Sequence, residues 1–152
     1  MYATVEDADT YIYSRYLLTN INPELYTNWE TLSEEAKNTL LEIAGISINN
    51  LPFTGRVSVV GQALPFPRFP ETEVSNEVKY AQIEEALAYT NPQFVQARQS
   101  YESMVARGVS RYQIGQLSET FNRGEGSALV EQLSPKARMF LQKYLSGGYV
   151  IC

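Results

Sequence analysis

The chain has 152 residues, 44% hydrophobic and 19% charged, with a formal net charge of −5; this is enough for one domain that buries a core without staples. It contains no histidine and a single cysteine, Cys152, which excludes Ser-His-Asp or Cys-His catalysis, a thiolate–imidazole zinc site and an intrachain disulfide. No apolar run is long enough to span a bilayer, and the acidic start MYATVEDAD lacks the basic and apolar regions of a signal peptide.

In chain order, a first helix is predicted from Thr4, which serves as N-cap, with Glu6 and Asp7 on the first turn and Val5, Ala8, Ile12 and Tyr16 as its apolar stripe. Asn22–Pro23 breaks it. A second helix follows TLSEEAKNTLLEIAGISINN. Thr31 with Glu34 has capping-box spacing, Ser33 is a competing cap, and the stripe runs through Ala36, Leu40, Ile43 and Ala44, widened by Leu41 and Ile48. Trp29 is placed to pack across the entrance of this helix.

Residues 49–76 have no helical period and hold Pro52, Pro65, Pro67 and Pro70 with Gly55 and Gly61. Their apolar content predicts an ordered crossover with a short strand at Val57–Val60. Within it, ALPFPRFP should be extended, because each proline fixes φ and pushes the preceding residue out of the helical region. A third helix is predicted from Ser75, and a fourth opens on Asn91–Pro92 and stops near Gly108. Residues 109–123 suit strands, with a change of phase at Gly115. NRGEGS reads as a polar turn, and a last helix opens on Ser134–Pro135 and ends at Gly147–Gly148. The fold class expected is mainly α. It is a small bundle of four to five helices in a single domain (helical core about 4–107 and 134–146), with a long Pro-rich crossover, a short β-like arm at about 108–124 and an extended C-terminal tail at 147–152.

Catalytic chemistry finds no support. There is no phosphate-cradling loop and no nucleophile elbow. Glu6, Asp7 and Asp9 sit where a helix start favours acids, and Glu84 and Glu85 are adjacent on a helix and point to different places. The expectation is no enzyme, no catalytic residue, no metal site and no cofactor. Charge is uneven. Residues 1–50 hold two basic and eight acidic groups, and residues 101–152 hold six and four. Arg107, Arg111, Tyr112, Arg123, Lys136, Arg138 and Lys143 could form a basic–aromatic strip for single strands, or an ordinary solvated face. The 11 tyrosines favour half-buried and interfacial positions.

Several stretches carry a resemblance. YATVEDADTYIYSRY resembles the "T-x-E-E-A-D-x-Y" start of small tailed-phage head–tail connector (adaptor) proteins, a group labelled DnaT-like single-stranded-DNA-binding. In order follow Trp29 before KNTLLEIAGISIN, then LPFTGR, then LPFPR at the family's "L-x-W-P-R", then VSNEVKYAQIEEALAY. RYQIGQLSETF resembles the family's "K-V-G-x-L-S-x-x-Y" arm, and SPKARMFLQKYLSGG its closing helix. Phe66 stands where tryptophan is common, and Ser75–Asn76 replaces the usual proline.

The resemblance implies a structural virion protein of the neck, made in the host cytoplasm. Such proteins form a ring, usually of twelve, that docks on the portal, extends the DNA channel and offers a platform to the next neck, stopper or tail protein. Double-stranded DNA passes through unread, and no membrane is involved. On this reading Tyr149, Val150 and Ile151 bind the portal, and Phe66, Arg68, Phe69, Tyr112, Ile114, Leu117 and Phe121 lie at subunit interfaces. Arg68 alternatively is a surface charge between two inward anchors. The alternatives are a single-stranded-DNA-binding, primosome-type protein, or another neck piece such as a stopper or tail terminator.

Overall fold

A computed structural model describes residues 1–106, 111–114, 117–120 and 125–145, with side chains absent from the description at 105, 111–114, 117–120 and 125–128. Among the described residues the fold is mainly helical. It comprises α1 (Val5–Ile12), a π-helical turn (Tyr13–Leu17), α2 (Pro23–Glu30), α3 (Glu34–Asn49), α4 (Asn76–Ala88), α5 (Pro92–Ala106), α6 (Glu125–Gln132), α7 (Pro135–Leu141) and a short 3-10 turn (Gln142–Tyr144). β1 (Arg111–Ile114) and β2 (Leu117–Thr120) form one antiparallel ladder, with Arg111 opposite Thr120 and Ile114 opposite Leu117.

The helix starts follow local chemistry. Thr4 and Asp7 form a reciprocal capping box, so two orphan N–H groups are satisfied at once. Of the two caps available to α3, Ser33 is the one used, its hydroxyl accepting from Ala36 N–H at 3.2 Å. Ser134 caps α7 with Pro135 at the first helical position.

Helix α4 is the axis of the molecule. Its residues Val78 and Ala81 through Leu87 are all buried, and it packs against α3 and most extensively against α7. Two apolar clusters lie around it. One gathers Ala8, Ile12, Tyr16, Trp29, Leu41, Ala44, Ile83 and Leu87; the other gathers Ile48, Leu51, Phe66, Val78, Leu133, Ala137 and Leu141.

A helix buried all round should be apolar, yet α4 carries Gln82, Glu84 and Glu85 inside. Each is satisfied, as burial requires. Gln82 Oε1 accepts the N–H groups of Tyr2 at 2.8 Å and Ala3 at 2.9 Å, and its Nε2 donates to Leu41 O at 2.7 Å. Glu84 accepts from the hydroxyls of Tyr11 at 2.7 Å and Tyr16 at 2.6 Å. Glu85 accepts from Arg98 Nη1 at 2.9 Å and Ser134 N–H at 2.7 Å. The two glutamates do point to different places, one to α1 and the π turn, the other to α5 and the start of α7. Gly45 keeps the gap open, since a Cβ there would stand 3.1 Å from Gln82 Nε2.

Several expectations need correction. The Asn22–Pro23 break is the start of α2, which carries the fully buried Trp29. NRGEGS is not a turn throughout, because α6 begins at Glu125. The buried face of α3 is Lys37, Leu41, Ala44, Gly45 and Ile48, and Ile43 lies outside it, 41% exposed. The strand at Val57–Val60 reduces to an isolated antiparallel bridge between Val57 and Arg68. Gly108, Gly115 and Gly147–Gly148 lie outside the described residues.

Candidate interaction surface

The crossover from Leu51 to Pro70 lies in the longest non-helical stretch between described helices, and one arginine ties much of it together. Arg68 is 9% exposed. Its Nε donates to Thr54 O at 2.8 Å, Nη2 to Gly55 O at 2.6 Å and Nη1 to Pro65 O at 3.2 Å. The fork geometry of a guanidinium thus satisfies three carbonyls that helix or sheet would otherwise pair. Phe69 N–H donates to Arg56 O at 3.0 Å, and Ser58 N–H to Pro67 O at 3.1 Å. The segment folds back on residues 54–59 and is not a straight rod. Gln62 ties the tip, its Nε2 donating to Leu64 O at 2.7 Å and Pro67 O at 3.0 Å. Gly55 and Gly61 adopt φ of 77° and 84°, which makes the sharp reversals inexpensive.

Of the interface candidates in this segment, only Phe69 faces outward. Phe66 is 3% exposed and sits among Phe53, Tyr144 and Tyr2, with ring centroids 4.7, 4.9 and 5.7 Å away. Arg68 is turned inward because its donors are used by its own loop. Phe69 is 58% exposed with the Arg56 guanidinium 4.3 Å over its ring. Val59 and Val60 at the tip are 64% and 99% exposed. Tyr112, Ile114 and Leu117 lie on the hairpin, with their side chains outside the described set. Phe121, Tyr149, Val150 and Ile151 lie outside the described residues.

A second surface is the groove between α3 and α5, about 310 Å³, lined by Ile43, Ile46, Ser47, Tyr89, Val95 and Arg98 among others. A third is a cleft of about 680 Å³ between α1, the π turn and α4. Its two cations are occupied by acids. Lys79 Nζ lies 3.7 Å from Asp7, whose carboxyl is held below its usual range first by the Thr4 N–H. Arg15 Nε lies 3.5 Å from Glu84. Its two tyrosines, Tyr11 and Tyr80, stack on each other with centroids 4.6 Å apart, so each has one ring face taken, and Arg15 lies 5.7 Å from the Tyr11 centroid.

Most other described cations are similarly engaged, Arg56 over the Phe69 ring being the exception. Lys37 pairs with Asp9 at 3.0 Å, and Lys143 with Glu71 at 3.4 Å. Lys136 Nζ donates to Tyr16 OH at 2.6 Å, and Arg138 to Leu133 O at 3.5 Å. Among the described residues no cluster of acids or thiols could hold a metal ion, and no helix is long and apolar enough to cross a membrane.

A family model described as "Putative DnaT-like ssDNA binding protein" matches residues 1–151. The chain belongs to that family. No curated protein and no solved structure matches it. The family match spans α1 through α7, so the capped start, the Arg68-tied crossover and the α4 axis all lie inside it.

Proposed function

We propose that the chain is a structural subunit that works through protein–protein contacts, specifically a ring-forming head–tail adaptor. It would dock on a phage portal and extend the DNA channel towards the next neck or tail component. The observation that carries this reading is the contrast between its charged and apolar surfaces. Most described cations are spent on acids, carbonyls and hydroxyls of the same chain, while Val59, Val60 and Phe69, the last under the Arg56 guanidinium, are held exposed on the crossover loop. Phosphate binding needs lysines and arginines free to displace counterions. Exposed apolar side chains on a preorganised scaffold suit partner contact, because little entropy remains to be lost. A net charge of −5 also suits a channel through which DNA slides. The tail residues Tyr149, Val150 and Ile151 are proposed to meet the portal, and the hairpin to reach a neighbouring subunit by strand addition.

The family description favours a second reading, a single-stranded-DNA binder. Arg107, Arg111 and Arg123 lie in the segment whose side chains are outside the described set, and they would be its contacts. Electron microscopy with and without purified portal separates the two. Rings stacked coaxially on the portal establish the adaptor. Particles that ignore the portal, together with oligonucleotide binding that weakens steeply with salt, establish the DNA binder.

A further inference from the structure

The crossover tip and the α3/α5 groove differ in a way that bears on assembly. Residues 51–70 contain two arginines and no acid. Arg68 is consumed internally, which leaves Arg56, stacked over Phe69, as the available charge of the loop whose tip carries Val59 and Val60. A guanidinium held on an aromatic ring, on a loop that also exposes aliphatic side chains, is the composition of an interface anchor.

The groove has the opposite character. Its floor is apolar, with Ile43 and Ile46 41% and 61% exposed. Its one arginine, Arg98, is shared between the buried Glu85 at 2.9 Å and the exposed Glu102 at 3.4 Å, two acids against one cation. Its rim is acidic. Glu102 lines it from α5, and Glu42, exposed and one helical turn before Ile46, lies along the α3 edge.

We infer that the crossover tip of one subunit seats in the α3/α5 groove of a second copy, with Val59, Val60 and Phe69 on Ile43 and Ile46 and Arg56 against Glu42 and Glu102. The two patches are different surfaces of the same chain, so the contact is heterologous. A head-to-tail contact closes into a ring or runs on as a filament, whereas a self-complementary patch would stop at a dimer. The inference rests on the ring reading and deepens it by naming the contact.

The test is sedimentation velocity on the full chain up to millimolar concentration. Wild type should form species larger than a dimer. Val60→Glu, at a position 99% exposed and so without cost to folding, should weaken self-association roughly thirtyfold or more. Arg56→Glu should weaken it as well, and adding E42R/E102R in the same chain should restore it. Unchanged assembly in V60E and R56E, or a wild-type chain monomeric at every concentration, overturns the inference. In either case the ring reading stands or falls separately, on whether rings appear on the portal. Loss in R56E without rescue by E42R/E102R overturns the assignment of the groove.

Discussion

Gln82 Oε1 accepts the backbone N–H of Tyr2 at 2.8 Å, 80 residues away in sequence. One buried side chain thereby fixes the start of the chain against the central helix, and its Nε2 ties the same point to α3 through Leu41 O. Gln82→Leu keeps the volume but leaves the Tyr2 and Ala3 N–H groups without their acceptor. It should cost on the order of 3 kcal/mol, read as a shift in the urea midpoint at unchanged slope. A shift of less than a fifth of that would show that water replaces the amide.

Arg68 should be as important to stability as to loop shape. Arg68→Ala removes three donors from carbonyls of the crossover and should cost roughly 3 kcal/mol or more. Arg68→Lys should recover little, because a point charge cannot reproduce the fork. Faster proteolysis between residues 54 and 70 in both variants would locate the damage. Equal stability of Lys and Arg would mean that charge alone suffices.

The capping box at Thr4 offers a milder test. Thr4→Ala should cost about 1 kcal/mol. The Asp7 carboxyl is held low in the fold, so its contribution is present above its unfolded range and is lost as pH falls through its folded value. Acid unfolding of the Thr4→Ala chain should begin at higher pH than in wild type, because the lost hydroxyl acceptor of the Asp7 N–H lowers the stability that acid must overcome, while the residue-4 N–H that holds the Asp7 carboxyl low is kept. Circular dichroism across an acid titration reads the difference.

The buried tyrosines set an alkaline limit. Burial pushes Tyr2 up from its ordinary 10.0 to about 12, the Phe66 backbone partly opposing this. Tyr11 and Tyr16 are pushed up too, first by burial and then by Glu84. Their neutral forms are favoured in the fold, so this stability is complete below the unfolded value and is lost as pH rises through the folded one. Ultraviolet titration should show an exposed group of tyrosines ionising first. Tyr2, Tyr11 and Tyr16 should ionise only with unfolding, and in Glu84→Gln Tyr11 and Tyr16 should ionise earlier.

Deleting residues 147–152 should leave a folded chain that no longer sits on the portal, read by co-sedimentation. Retained docking would remove Tyr149, Val150 and Ile151 from the proposed contact.

Local signals in the sequence were sufficient for the helical class and the starts at Thr4, Ser134–Pro135 and Asn91–Pro92. Caps, N-terminal prolines and composition act within a few residues, so one strand of text carries them. The α2 helix was hidden because Pro23 reads equally as a break and as a first helical residue. The outward turn of Ile43 was hidden because α3 carries apolar residues on more than one face. What only the tertiary structure decided is which polar groups go inside. Nothing local marks Gln82, Glu84, Glu85 or Arg68 as buried, because their partners at Tyr2, Tyr16, Ser134 and Thr54 lie 80, 68, 49 and 14 residues away. Burial of a polar group is tolerable only when such distant partners converge, and convergence is a property of the packed chain.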